Sequence, residues 1–103
     1  MEQALKAASL VPLEIMEKCC EVIRMQREFA EKGSVMAVSD AGVGVILAKA
    51  ALQGASLNVF INTAAMKDRV CASEFDEKAE RMLLEYTLTA DEVYAEVYSR
   101  LRK

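Results

Sequence analysis

Apolar positions recur at three- and four-residue steps along almost the whole chain, and no stretch alternates apolar with polar residues between turn signals. That period belongs to the α-helix, so the pattern predicts an all-α protein built as a bundle of long antiparallel helices. The first helix is expected from Glu2 to Lys32, with Pro12 inside it. Either a short helix ends near Leu10 and a new one begins at Val11-Pro12, or one helix is kinked there. Beyond the proline, Leu13, Met16, Cys20, Ile23 and Ala30 form an apolar face, which Ile15, Cys19, Val22 and Phe29 widen into a broad arc. Gly33 supplies a stop.

Ser34 to Val38 reads as a short loop, Ser39 as the next N-cap, and Asp40 as a first-turn carboxylate that suits the helix dipole. The second helix is expected to end near Lys67. It carries a seam of small residues, Gly44, Ala48, Ala51 and Ala55, which continues at the same steps to Asn58 and Asn62. Opposite lies a polar stripe of Lys49, Gln53 and Ser56. If that stripe faces water, the two amides face inward and need hydrogen-bond partners. The third helix is expected from Ser73 to Arg102, with Phe75, Ala79, Met82, Leu83, Tyr86, Leu88, Val93, Ala95 and Val97 as its apolar positions. Thr89-Ala90-Asp91-Glu92 has a capping-box pattern that would permit a break near Leu88, but one long helix is favoured.

Composition adds a partner to this picture. Apolar residues are 53% of only 103. So short a chain hides that surface poorly, and the second helix is apolar on most of its circumference, so a partner chain or a second copy is expected to complete the bundle. The whole chain, 1–103, reads as a single helical domain. Net charge is −3 with mixed signs, and no basic stripe supports nucleic-acid binding. Cys19, Cys20 and Cys71 make an odd count without metal-ligand spacing, and there is no histidine. Buried thiols in a reducing cytoplasm are the expected reading, with no metal site. The N-terminus has no signal-peptide layout. Ala41 to Met66 is apolar enough to suggest a membrane span, but Lys49, Asn58 and Asn62 argue against insertion.

Three ordered stretches carry further information: Ala4-Leu5-Lys6 through Val11-Pro12-Leu13; Glu31-Lys32-Gly33 followed by Val38-Ser39-Asp40-Ala41-Gly42-Val43; and Gly54 through Asn62. Together they resemble the methenyltetrahydrofolate cyclohydrolase and formimidoyltetrahydrofolate cyclodeaminase family, specifically the C-terminal half of its domain. The other half of the family's domain opens with a PGGGS-type segment, a natural anion site at a helix start, and no such segment occurs here. Ser34-Val35-Met36-Ala37 stands where the family tends to carry an asparagine-containing loop. The resemblance implies a folate-type substrate and ring chemistry without metal or redox cofactor: addition of water to the amidinium carbon, or ring closure with loss of ammonia. Either needs proton transfer and stabilisation of a tetrahedral intermediate.

Without histidine, the base must be a carboxylate, lysine or tyrosine, or come from another chain. Asp40 is the first candidate, set against its role as a dipole-complementing aspartate. Ser39, Asn58 and Asn62 are candidate substrate contacts; for the amides the competing role is a helix–helix hydrogen bond. Asp40 and Asn58 share a direction but lie about 27 Å apart along the helix, so one site uses both only if a second subunit supplies one of them. Three readings follow: a folate one-carbon enzyme or part of one, a split enzyme whose glycine-rich half is another chain, and a non-catalytic packing module.

Overall fold

The computed structural model describes residues 1–102, which form three helices: α1 (Glu2–Lys32), α2 (Val35–Ala64) and α3 (Arg69–Leu101). They run up, down and up in a rod of 54 × 17 × 16 Å. The antiparallel order follows from the two short connections, and long-range bonds tie it at both ends. At one end Glu2 accepts from the backbone N–H groups of Lys67 and Asp68, each at 2.8 Å. At the other, the Arg100 guanidinium donates to the Ala30 carbonyl.

The buried side chains lie along the inner seam of the three helices. Leu13, Met16, Cys20, Ile23 and Ala30 of α1 are all buried, as their spacing predicts. They meet Val38, Ala41, Val45, Leu52 and Val59 of α2, and Ala79, Val93 and Val97 of α3. Two glycines mark close approaches. A Cβ on Gly42 would lie 2.8 Å from a methyl of Val97, and one on Gly44 would lie 2.7 Å from the Gln26 amide. Gly42 therefore lets α3 pack against the backbone of α2.

The helix boundaries differ from the expected ones at both ends of α2 and at the start of α3, while α1 takes the unbroken form of its two readings and α3 the favoured one. Helix α1 is continuous through Pro12, which is buried within it. Helix α2 starts one turn earlier than expected, because Ser34 already serves as a cap: its φ of −64° and ψ of 171° are extended, and its hydroxyl accepts from the Ala37 N–H at 3.4 Å. Ser39 is thus not an N-cap, and Asp40 is not in the first turn. Helix α2 ends at Ala64, and Asp68 opens α3 by accepting from the Cys71 N–H at 3.1 Å. Helix α3 runs unbroken past Leu88; the Thr89 hydroxyl donates back to the Glu85 carbonyl at 2.9 Å instead of capping a new start.

The covered face of α2 also differs from the expected one. Lys49 lies toward α3, where it pairs with Asp91 at 2.7 Å. Ser56 is buried, with its hydroxyl on the Gln53 carbonyl at 2.6 Å. The stripe read as wet is therefore partly the inner face. Outward, α2 exposes Val43, Leu47, Leu57 and Ile61, and α1 exposes Val11, Ile15, Val22 and Phe29. On α3, Leu88 and Ala95 are exposed rather than packed. Helix α2 is long and apolar enough to cross a membrane by length and composition alone, and one side of it is packed in the bundle.

Candidate functional site

The SDAGV segment splits into two roles once it is helical. Ala41 and Gly42 face the core, while Ser39 and Asp40 point to solvent. Asp40 lies beyond the first turn of α2, outside the reach of the helix terminus, and makes no ion pair among the described residues. The dipole explanation for this carboxylate therefore falls away. An accessible, uncommitted carboxylate on a helix face can orient water or accept a proton.

The two asparagines have different fates. Asn62 is half-buried, and its side-chain N–H donates to the Ala8 carbonyl at 3.0 Å. Ala8 is four residues before Pro12, so its carbonyl is the one that the missing proline N–H leaves without an intrahelical donor. Asn62 supplies that donor from the neighbouring helix. Its role here is the helix–helix bond, the alternative weighed against substrate contact. Asn58 corrects the expectation outright: it is exposed. The reason is that the buried face of α2 lies between the expected seam and the polar stripe: Ala48 and Ala55 of the seam are buried, Lys49 turns toward α3, and Asn58 falls on the outer side.

Ser39 and Asp40 stand together; Asn58 lies 18 residues further along the same helix, about 27 Å away at 1.5 Å per residue. Within one copy of the chain these residues do not form one site. Between their positions lies an open groove of about 620 Å³, bounded by Val11, Ile15 and Val22 of α1 and by Gly44, Leu47 and Ala51 of α2. Its volume is in the range of small-molecule sites. Its lining, however, is almost wholly apolar, with only Glu14 and Lys18 at the rim. A polar, charged ligand would find few partners here, whereas an apolar helix would be well matched.

Other chemistry is committed to structure. Burial pushes the Cys20 thiol up to about 11 and raises Cys19 as well, so neither is primed as a nucleophile. Backbone N–H donors of Lys67 and Asp68 hold the Glu2 carboxyl below its usual range. The Cys71 N–H and then Lys6 do the same for Asp68, and Lys6 is raised by its bond to Asp68. Among the described residues no group of histidine, cysteine or carboxylate side chains could hold a metal ion. Sequence reasoning missed the Arg24–Tyr86 pair, which joins α1 to α3 by a hydrogen bond and a cation–π contact, and the Thr63 hydroxyl bond to Asp76 at 2.6 Å. Neither has a local signal, because each partner lies on a different helix.

Residues 1–81 match the family model described as formiminotransferase-cyclodeaminase. The chain is also similar to a methenyltetrahydrofolate cyclohydrolase of Methylorubrum extorquens, with 39% identity over 101 residues. That match covers 98% of this chain and 49% of the relative. The chain thus spans about half the length of the curated relative it matches.

Proposed function

Because the chain belongs to the formiminotransferase-cyclodeaminase family, we propose that it contributes one helical half of a folate one-carbon catalyst, which hydrolyses the amidinium ring of methenyltetrahydrofolate. The supporting observation is the 39% identity over nearly the whole chain to a protein named for that reaction. In that chemistry water bonds to the amidinium carbon and gives up a proton to a base. The ring carbon–nitrogen bond then breaks, the departing nitrogen takes a proton, the remaining hydroxyl proton is lost, and a formyl group is left. Asp40 is the residue proposed as the base, since it is exposed and not held in an ion pair. Ser39 beside it, and Asn58, are the proposed hydrogen-bonding groups for the substrate. The reaction calls on no metal or redox cofactor.

The test is the loss of methenyltetrahydrofolate absorbance at a pH where spontaneous hydrolysis is slow. The chain is assayed alone and with a helical chain matching the half of the relative that it does not cover. Acceleration in either case, reduced at least ~100-fold by Asp40→Asn, supports the proposal. No acceleration in both cases contradicts it. That second result would favour a packing module, a reading suggested by the Asn62–Ala8 bond and the apolar lining of the groove.

A further inference from the structure

Gly44 lacks a side chain at the place where a side chain of α1 comes to rest. A Cβ there would lie 2.7 Å from both the carboxamide carbon and the Nε2 of Gln26, so the Gln26 amide is pressed against the backbone of α2. Gln26 is half-buried, yet its amide makes no hydrogen bond among the described residues. No buried polar side-chain atom there is left without a partner, so the polar edge of this amide is open to water while its stem is packed. Its place on the two helices is also set. Val22 of α1 and Gly44 of α2 both line the apolar groove. The helices are antiparallel and joined at Gly33 and Ser34, so one turn toward that connection leads from Val22 to Gln26 and from Gly44 to Asp40. Asp40 thus stands about 6 Å along the axis from the glycine that carries the amide, at about 1.5 Å per residue, whereas Asn58 is about 27 Å away.

We propose that Gln26 is a further catalytic residue of the Asp40 site and holds the attacking water together with the carboxylate, an inference that rests on the hydrolysis proposed above. A water molecule has two O–H groups. The Asp40 carboxylate and the carbonyl oxygen of Gln26 are two acceptors that take one each. A gap of about one turn suits that bridge: two hydrogen bonds of about 2.8 Å meeting at one oxygen span roughly 4.5 Å, and the side chains reach across the remainder. With both hydrogens held, a lone pair of the water oxygen is left to face the amidinium carbon. As the oxygen–carbon bond forms, the proton on the Asp40 side passes to the carboxylate. The other proton stays on the oxygen and keeps its bond to Gln26. The tetrahedral intermediate therefore remains oriented while the ring carbon–nitrogen bond breaks. Glycine at position 44 belongs to the same device, because any side chain there would push the amide off α2.

The test compares methenyltetrahydrofolate hydrolysis by the unaltered chain, Gln26→Leu, Gly44→Ala and the double variant. Each is assayed in the form that hydrolyses, alone or with the helical chain matching the uncovered half of the relative. Gln26→Leu keeps the stem and removes the acceptor. Gly44→Ala keeps the amide but displaces it, at little cost to folding because the amide is the far end of a flexible side chain. In either single variant kcat should fall about 10- to 100-fold and KM should change less than about 3-fold, with helix content by circular dichroism unchanged. Gly44→Ala should add nothing in the Gln26→Leu background, since the group it displaces is already gone. A rise in KM with kcat unchanged overturns the water-holding role, as do additive losses in the double variant or losses of kcat that track a loss of helix. Activity lost through Asp40→Asn but kept in Gln26→Leu overturns this inference alone. No hydrolysis by the unaltered chain in either form overturns the proposed function and this inference with it.

Discussion

The inner and outer sides of α2 are almost equally apolar, yet only one of them is covered. Inward, Val38, Ala41, Val45, Leu52 and Val59 are 0–1% exposed and interlock with α1 and α3. Outward, Leu47 is 65% and Ile61 69% exposed. A helix that needed only this bundle would be polar on its outer side. The comparison teaches that the apolar character of α2 exceeds what this bundle covers: three helices bury one side and leave an equally apolar one exposed. Asp40 and Asn58 stand on the surface still uncovered, and Asn62 at the edge of the covered one.

The sharpest way to break this contrast is to cut one leucine from each side. Leu52→Ala on the inner face should cost about 2–5 kcal/mol, because the removed atoms leave a cavity that a tight three-helix core cannot close. Leu47→Ala on the outer face should leave the folding of a single copy within about 0.5 kcal/mol while weakening association. Denaturant melts at low protein concentration measure the first effect, and the concentration dependence of the melts measures the second. Equal costs at low concentration would mean that the two faces are not distinct.

A smaller effect sharpens the edge between the faces. Asn62→Ala should cost about 0.5–1.5 kcal/mol, since the Ala8 carbonyl loses the amide donor but lies where water can reach it. Pro12→Ala restores a backbone N–H that can reach the same carbonyl. The double variant should therefore lose much less from Asn62→Ala than the single one does, and a thermal-melt cycle reads this coupling. Additive costs would show that the amide and the proline are unrelated.

The smallest effect concerns the exposed end of the bundle. The Glu2 and Asp68 carboxyls are held below their ordinary values of 4.5 and 3.8, so their contribution is present above those values and fades as pH falls through the lowered ones. Lys6 is raised above 10.5, so its contribution is full below that value and fades as pH rises through the raised one. The melting temperature should fall slightly at both extremes, and Asp68→Asn should flatten both slopes. The Lys6 and Asp68 side chains are 34% and 41% exposed, and solvent screening keeps the changes small.

Much of the fold was legible in the pattern of residues. The three helices, the inner set of α1 and the stop at Gly33 all follow from period and composition, because burial of a stripe leaves a stripe in the sequence. The orientation of α2 was not legible. With apolar residues all round, period alone cannot say which side meets protein, and Lys49 was read as the wet edge when it is paired with Asp91 across the bundle. Asn58 was placed inward by the same error. The family resemblance rests on ordered motifs rather than on that geometry, and the match over residues 1–81 bears it out. The Ser34 cap was missed because Ser39 offers the same chemistry one turn later. The bond from Asn62 to Ala8 could have been sought from Pro12 alone, since a mid-helix proline always leaves one carbonyl in need of a donor.

Sedimentation velocity of the intact chain at micromolar concentration tests the central claim most directly. A second apolar surface on α2 predicts a two-copy species whose share falls on dilution and which Leu47→Glu abolishes without loss of helix. A well-behaved single copy at all concentrations, unchanged by Leu47→Glu, would contradict it.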